Sequence, residues 1–217
     1  MKKKTLTIAI ALVLVVALAV GATYALLTAD TKAVTNTFVA GKLTNDKDAL
    51  TLKEHDVKQN ADGSYVLDKT ADAKEGNKVE YGAIVPGTTI EKDPTVTVKG
   101  LTGAAYLYIV VKDTVDNAKL AHSVDATKWT EIGKNITDGT VLYKYAIGKV
   151  GTETATTPLN VGVLTGNQLT AAATLDDGAA LGQIIVNAYL VQAVGTANEV
   201  AAWNASPFAA TTGITAA

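Results

Sequence analysis

Apolar residues run almost unbroken from positions 6 to 20, directly behind Lys2, Lys3 and Lys4. Beyond position 43 the chain changes to short alternating or β-branched apolar runs, cut by Gly, Pro and Asp-Gly pairs. The first stretch predicts an export signal and the rest predicts a sheet protein. A basic tip, an apolar middle and small residues at minus three and minus one define a secretory signal, and Thr23 and Ala25 supply the small pair. Cleavage after Ala25 leaves Leu26 as the new N-terminus and shortens the 217-residue chain by 25, to 192. A cut after Ala22 is poorer because it places Val20 at minus three. Residues 6–27 are also long enough to cross a bilayer as an uncleaved anchor, the competing reading.

Residues 79–85, 95–99 and 105–112 are rich in β-branched and aromatic side chains and bounded by turn signals, so they read as strands. Pro86-Gly87 fits the turn between the first two, and residues 100–103 separate the second pair. In 141–147, Val141, Tyr143, Tyr145 and Ile147 fall on one face, and Leu142, Lys144 and Ala146 on the other. Residues 182–194 form the longest strand candidate, apolar on both faces except Gln183, Asn187 and Gln192, which places it centrally between two layers. Asp62-Gly63, Asp138-Gly139 and Asp177-Gly178 mark tight turns. Helix is the minority state: Thr196 caps a short helix over 197–203 that stops before Pro207. Residues 116–129 and 169–180 are insertions, helical or loop. The charged stretch 45–77 reads as a solvated hairpin excursion, and 209–217 as a frayed tail.

Composition narrows the function. Removing residues 1–25 takes three of the 19 basic residues, all lysine, and none of the 21 acidic ones, leaving 16 Lys, no Arg and a formal charge of −5. Nucleic acid is excluded as an expected partner, because phosphate binding needs a clustered basic surface. Cysteine is absent, so the exported fold rests on its own core rather than on disulfides. A membrane contact is expected only through the uncleaved signal.

Catalytic chemistry is thin, with two histidines and three serines in the chain. His55 and His122 lie far apart, outside any His-Glu-x-x-His pattern, and read as surface residues. Ser123 adjoins His122, but neighbouring side chains point apart and form no nucleophile and base pair. Asp46 with Asp48, and Asp176 with Asp177, could bind calcium at the surface but match no EF-hand loop, and solvated turn carboxylates are the favoured reading. Asn135-Ile136-Thr137 and Asn204-Ala205-Ser206 are formal glycosylation sequons, the second weakened by Pro207. No enzyme activity, metal or cofactor is expected from these residues, although an acidic chain always offers distant carboxylate pairs.

The segment Gly21-Ala22-Thr23-Tyr24-Ala25, then Asp30-Thr31-Lys32, then Thr37-Phe38-Val39-Ala40-Gly41-Lys42-Leu43 resembles the TasA and camelysin family of exported proteins. Val85-Pro86-Gly87-Thr88-Thr89-Ile90, Tyr143-Lys144-Tyr145, Thr157-Pro158-Leu159 and the Ala188 to Ala193 strand followed by Trp203 resemble later family segments. The resemblance covers most of the mature chain in patches. It implies processing by a SipW-type signal peptidase and an all-β fold, a jelly-roll-like β-sandwich with short helical insertions and an extended N-terminal donor strand. It also implies polymerisation into biofilm-matrix or cell-surface fibres, with copies of the same chain as main partner and an anchoring or minor fibre subunit beside them. Camelysins are also called metalloproteases, an activity this chain's residues do not support.

The resulting expectation divides the chain into a signal peptide (1–25), a donor segment (26–40), a β-sandwich (41–208) and a C-terminal tail (209–217). Leu26, Leu27, Ala29, Thr31, Ala33, Val34 and Phe38 are the expected polymer interface. Extended chain rises ~3.3 Å per residue, so 26–40 can reach ~50 Å, far enough to enter a neighbouring domain. An exposed sheet edge offers backbone groups that such a strand satisfies. Donor and acceptor are different surfaces, so the contact is head to tail and an open filament follows. Burying Leu26, Leu27, Val34 and Phe38 yields roughly 6 to 12 kcal/mol. Ordering the backbone costs ~1 to 2 kcal/mol per residue, so ladder hydrogen bonds must contribute. In the competing reading, 26–43 is the first strand of its own domain, and Phe38 to Leu43 pairs internally in either case. A monomeric secreted adhesin or ligand-binding sandwich is the alternative function.

Overall fold

The computed structural model describes residues 28–30, 43, 48–76, 79–151, 157–175 and 181–217. In chain order the strands are β1 (Thr28–Asp30), β2 (Leu50–Glu54), β3 (Val57–Gln59), β4 (Tyr65–Leu67), β5 (Lys74–Glu75), β6 (Thr89–Glu91), β7 (Thr95–Val98), β8 (Ala105–Asp113), β9 (Leu120–Ala121), β10 (Trp129–Lys134), β11 (Val141–Val150), β12 (Leu159–Gly162), β13 (Gln168–Ala171) and β14 (Ile184–Gln192). Two short helices close the chain, α1 (Glu199–Ala205) and α2 (Pro207–Thr212). The fold is all-β, as the alternating runs predict.

The first sheet has the order β1-β14-β8-β11-β10, the second β12-β7-β2-β5 and the third β3-β4-β6-β13-β9. The second and third sheets share a bent double strand. β7 pairs with β12 and β6 pairs with β13. At the bend, Val163 N–H donates to the Pro94 carbonyl (2.9 Å) and Lys92 N–H to the Asn167 carbonyl (2.8 Å).

Two cores lie on opposite faces of the first sheet. Leu107, Ile109, Val111, Ala188 and Leu190 pack against Leu50, Val96, Val98 and Val161 of the second sheet, and Ile90 and Leu169 of the third. Tyr106, Tyr108, Val110, Tyr189 and Val191 point the other way, against Trp203, Phe208 and Ile214 of the C-terminal region. β8, and β14 from Ala188 to Val191, are therefore buried on both faces, which explains their near-continuous apolar sequences.

Several expectations need correction. Residues 79–85 form no strand, because side chains hold them over the third sheet in place of a ladder. Tyr81 packs edge-on to Tyr65 at 5.3 Å, and Gln59 Nε2 donates to the Ala83 carbonyl at 3.3 Å. The 45–77 stretch is not wholly a solvated excursion: β2 pairs along β7 and buries Leu50, and β4 buries Tyr65 in the same core, while residues 58–62 and 69–72 are the exposed parts. β9 and β13 occupy parts of the two insertions left open between helix and loop. The alternation in β11 ends at a bulge between Lys144 and Lys149. Gly148 takes φ 95° there, and Ile147 turns outward to 76 % exposure.

The helix starts later than expected and has a different cap. Asn198, not Thr196, accepts the Ala201 N–H at 2.9 Å, while Thr196 Oγ1 donates back to the Ala193 carbonyl. Both residue types cap well, so local propensity did not choose between them. Residues 209–217 are not a frayed tail. α2 runs across that boundary, and Ile214 and Ala216 are 1 % and 5 % exposed.

Candidate functional site

β14 acquires its position from its own sequence. Nine consecutive residues pair antiparallel with β8, from Ile184 opposite Asp113 to Gln192 opposite Ala105. Its other side receives β1 in antiparallel register, Thr28 opposite Val191, Ala29 opposite Leu190 and Asp30 opposite Tyr189. An N-terminal segment thus supplies the outermost strand of the first sheet. The outer side of residues 184–187 meets no ladder partner among the described residues. Ile185, in that stretch, is 39 % exposed.

The residues of β14 that face β1 are packed from both layers. Trp203 is fully buried, with its ring 5.6 Å from Tyr189 and 5.2 Å from Tyr108. Phe208 adds a second ring at 4.8 Å from Tyr189. The Tyr108 hydroxyl donates to the Glu199 carbonyl at 2.6 Å, and Lys144 pairs with the Glu199 carboxylate. The hydrogen bond from Lys144 holds that carboxyl below its ordinary range. At the end of β14, Gln192 Oε1 is buried with no hydrogen-bond partner among the described residues.

Of the expected interface residues, the structure places Ala29 in β1, opposite Leu190. Thr23, Ala25, Leu26, Leu27, Thr31, Ala33, Val34 and Phe38 lie outside the described residues. Sequence reasoning did not name the stretch that β1 pairs with in this chain, Tyr189 to Val191 of β14. The two-sided apolar run of β14 was the available signal, since a strand buried on both faces exposes only its edge.

The remaining candidate chemistry is structural. His122 is not a surface residue: its side chain is 2 % exposed, with Nε2 2.7 Å from Asp113 Oδ2 and Nδ1 2.7 Å from the Leu120 carbonyl. His55 Nδ1 lies 2.8 Å from Asp93 Oδ2. Ser123 Oγ donates to Thr165 Oγ1 and not to either histidine. Lys92 Nζ contacts both Glu54 oxygens, at 2.7 and 2.9 Å. Burial outweighs that pairing and raises the Glu54 carboxyl above its ordinary range. Among the described residues no cluster of three or more His, Cys, Asp or Glu could hold a metal ion. Asp46, Asp176 and Asp177 lie outside them.

Both sequons serve the fold. Asn135 Oδ1 accepts the Thr137 N–H at 2.9 Å, and Asn204 binds the backbone of Ala216. No described helix is long and apolar enough to cross a membrane. The chain matches no protein-family model, no curated protein and no solved structure.

Proposed function

We propose that this protein is a non-enzymatic, exported structural subunit, a jelly-roll-like β-sandwich that polymerises head to tail through its N-terminal segment into matrix or surface fibres. The observation that carries the reading is the β1–β14 pairing: a strand from the N-terminal region completes a sheet whose other members all lie beyond residue 104. A contact made of main-chain hydrogen bonds is chemically the same whether the strand comes from its own chain or another. Residues 31–42 separate β1 from Leu43, a length that extends to roughly 40 Å at ~3.3 Å per residue and permits the exchange. Signal cleavage after Ala25 frees the strand, which couples export to assembly.

The absence of cysteine makes a direct test available. Mature chains carrying Thr28→Cys and Val191→Cys separately are mixed, assembled and oxidised. Exchange between copies gives a disulfide-linked heterodimer and filaments in electron micrographs. If the mixture stays monomeric while a chain carrying both cysteines closes only on itself, the strand is kept in its own subunit and the proposal fails.

A further inference from the structure

The first sheet has a second edge, β10, and residues 213–217 lie along it. Ala217 N–H donates to the Ile132 carbonyl at 2.8 Å. A Cβ on Gly133 would come 2.8 Å from the Thr215 carbonyl oxygen and 3.4 Å from Ala216 Cα, so β10 carries glycine where this segment passes. Ile132 and Gly133 also sit at a bulge in the β10–β11 register, a feature that discourages further pairing but leaves the neighbouring edge groups in place.

Three contacts hold the segment from the helix side. Trp203 Nε1 donates to the Ile214 carbonyl at 2.9 Å. Asn204 Nδ2 donates to the Ala216 carbonyl at 3.1 Å, and its Oδ1 accepts the Ala216 N–H at 2.8 Å. Asn204 is itself exposed, so its amide spends both ends on the backbone of a remote segment when water was available. This is an investment in placing 213–217, not in stabilising α1.

We propose that residues 213–217 form a strap that closes the β10 edge against a second copy of this chain, leaving the β14 side as the one place where the first sheet adds a strand from another copy. The inference rests on the assembly reading for the identity of the partner. β10 is the edge of the first sheet opposite the β1–β14 side, so with β1 given to another copy two open edges would let a subunit pair at both ends and produce branched or laterally fused material. Without the strap, two β10 strands meet edge to edge about a two-fold axis, since an antiparallel pair of identical strands is self-complementary.

The test uses the full mature chain with Asn204→Ala, and separately Gly133→Val, which crowds the strap from the other side. Amide exchange at residues 131–134 and 214–217 speeds up by about tenfold or more in both. Single cysteines placed in turn at the exposed residues Thr130, Glu131 and Lys134 then give like-to-like disulfide dimers in the strap variants and none in the parent. Exchange that stays at the parental rate in both variants overturns the claim that these contacts hold a strap. Faster exchange with no β10 dimer at any position overturns the claim that the strap excludes a copy. The Thr28 and Val191 cross-link is scored separately, so failure of strand donation leaves this result readable.

Discussion

Glu199 joins three parts of the molecule through one residue: its carboxylate meets Lys144 of β11, its carbonyl meets Tyr108 of β8, and it opens α1. Its carboxyl is held below the ordinary 4.5 by the Lys144 hydrogen bond first and its own backbone N–H next. A folded-state value below the unfolded one adds stability above 4.5, and that contribution disappears as pH falls through the folded value. Glu199→Gln is therefore expected to lower stability by about 1 kcal/mol or less at neutral pH, the range of a partly exposed pair. In urea melts taken across pH, the difference from the parent shrinks to nothing in strong acid. Glu54 has the opposite sign. Burial raises its value, so its contribution is present below 4.5 and is lost as pH rises through the folded value.

The short α1 helix depends on its ends more than on its length, because seven residues cannot sustain a helix in water without tertiary support. Asn198→Ala removes the side chain that satisfies the Ala201 N–H and is expected to cost about 1 kcal/mol in chemical denaturation. A cap acting only locally would leave the β14 edge unchanged, whereas here Trp203 hangs from the same helix and packs on Tyr189. Faster amide exchange at 188–191 in this variant is the accompanying readout. Elements of this kind were only partly legible. β7, β8 and β14 could be read because period and composition are local. Residues 79–85 have strand composition and yet no ladder, since Tyr81 and the Gln59 amide offer a competing anchorage that no local pattern announces.

For the molecule as a whole, the two edges of one sheet are met by the two ends of the chain: β1 lies on β14, and 213–217 on β10. Replacing Ala29 by Pro removes a backbone donor and fits poorly inside a paired strand. If β1 works between copies, Ala29→Pro abolishes filaments in electron micrographs. The monomer's unfolding midpoint should move little, because β1 contributes three residues of the sheet. A large loss of monomer stability with filaments retained would place β1 in the domain's own framework instead.

The amino-acid order alone determined the sheet class, the principal strands, the Pro86-Gly87 turn and the poverty of catalytic residues, all of which follow from side-chain chemistry and spacing within a few positions. It also marked the N-terminal region as one able to extend. Tertiary structure decided which edge that region covers, buried His122 against Asp113, and turned a tail of small polar and apolar residues into a packed segment. Those outcomes rest on partners far apart in sequence: Ile214 gains its burial from Trp203 and β10, and β1 gains its register from Tyr189 to Val191. Short-range periodicity carries no information about such meetings, because edge pairing and core burial are settled only when distant strands arrive at the same face.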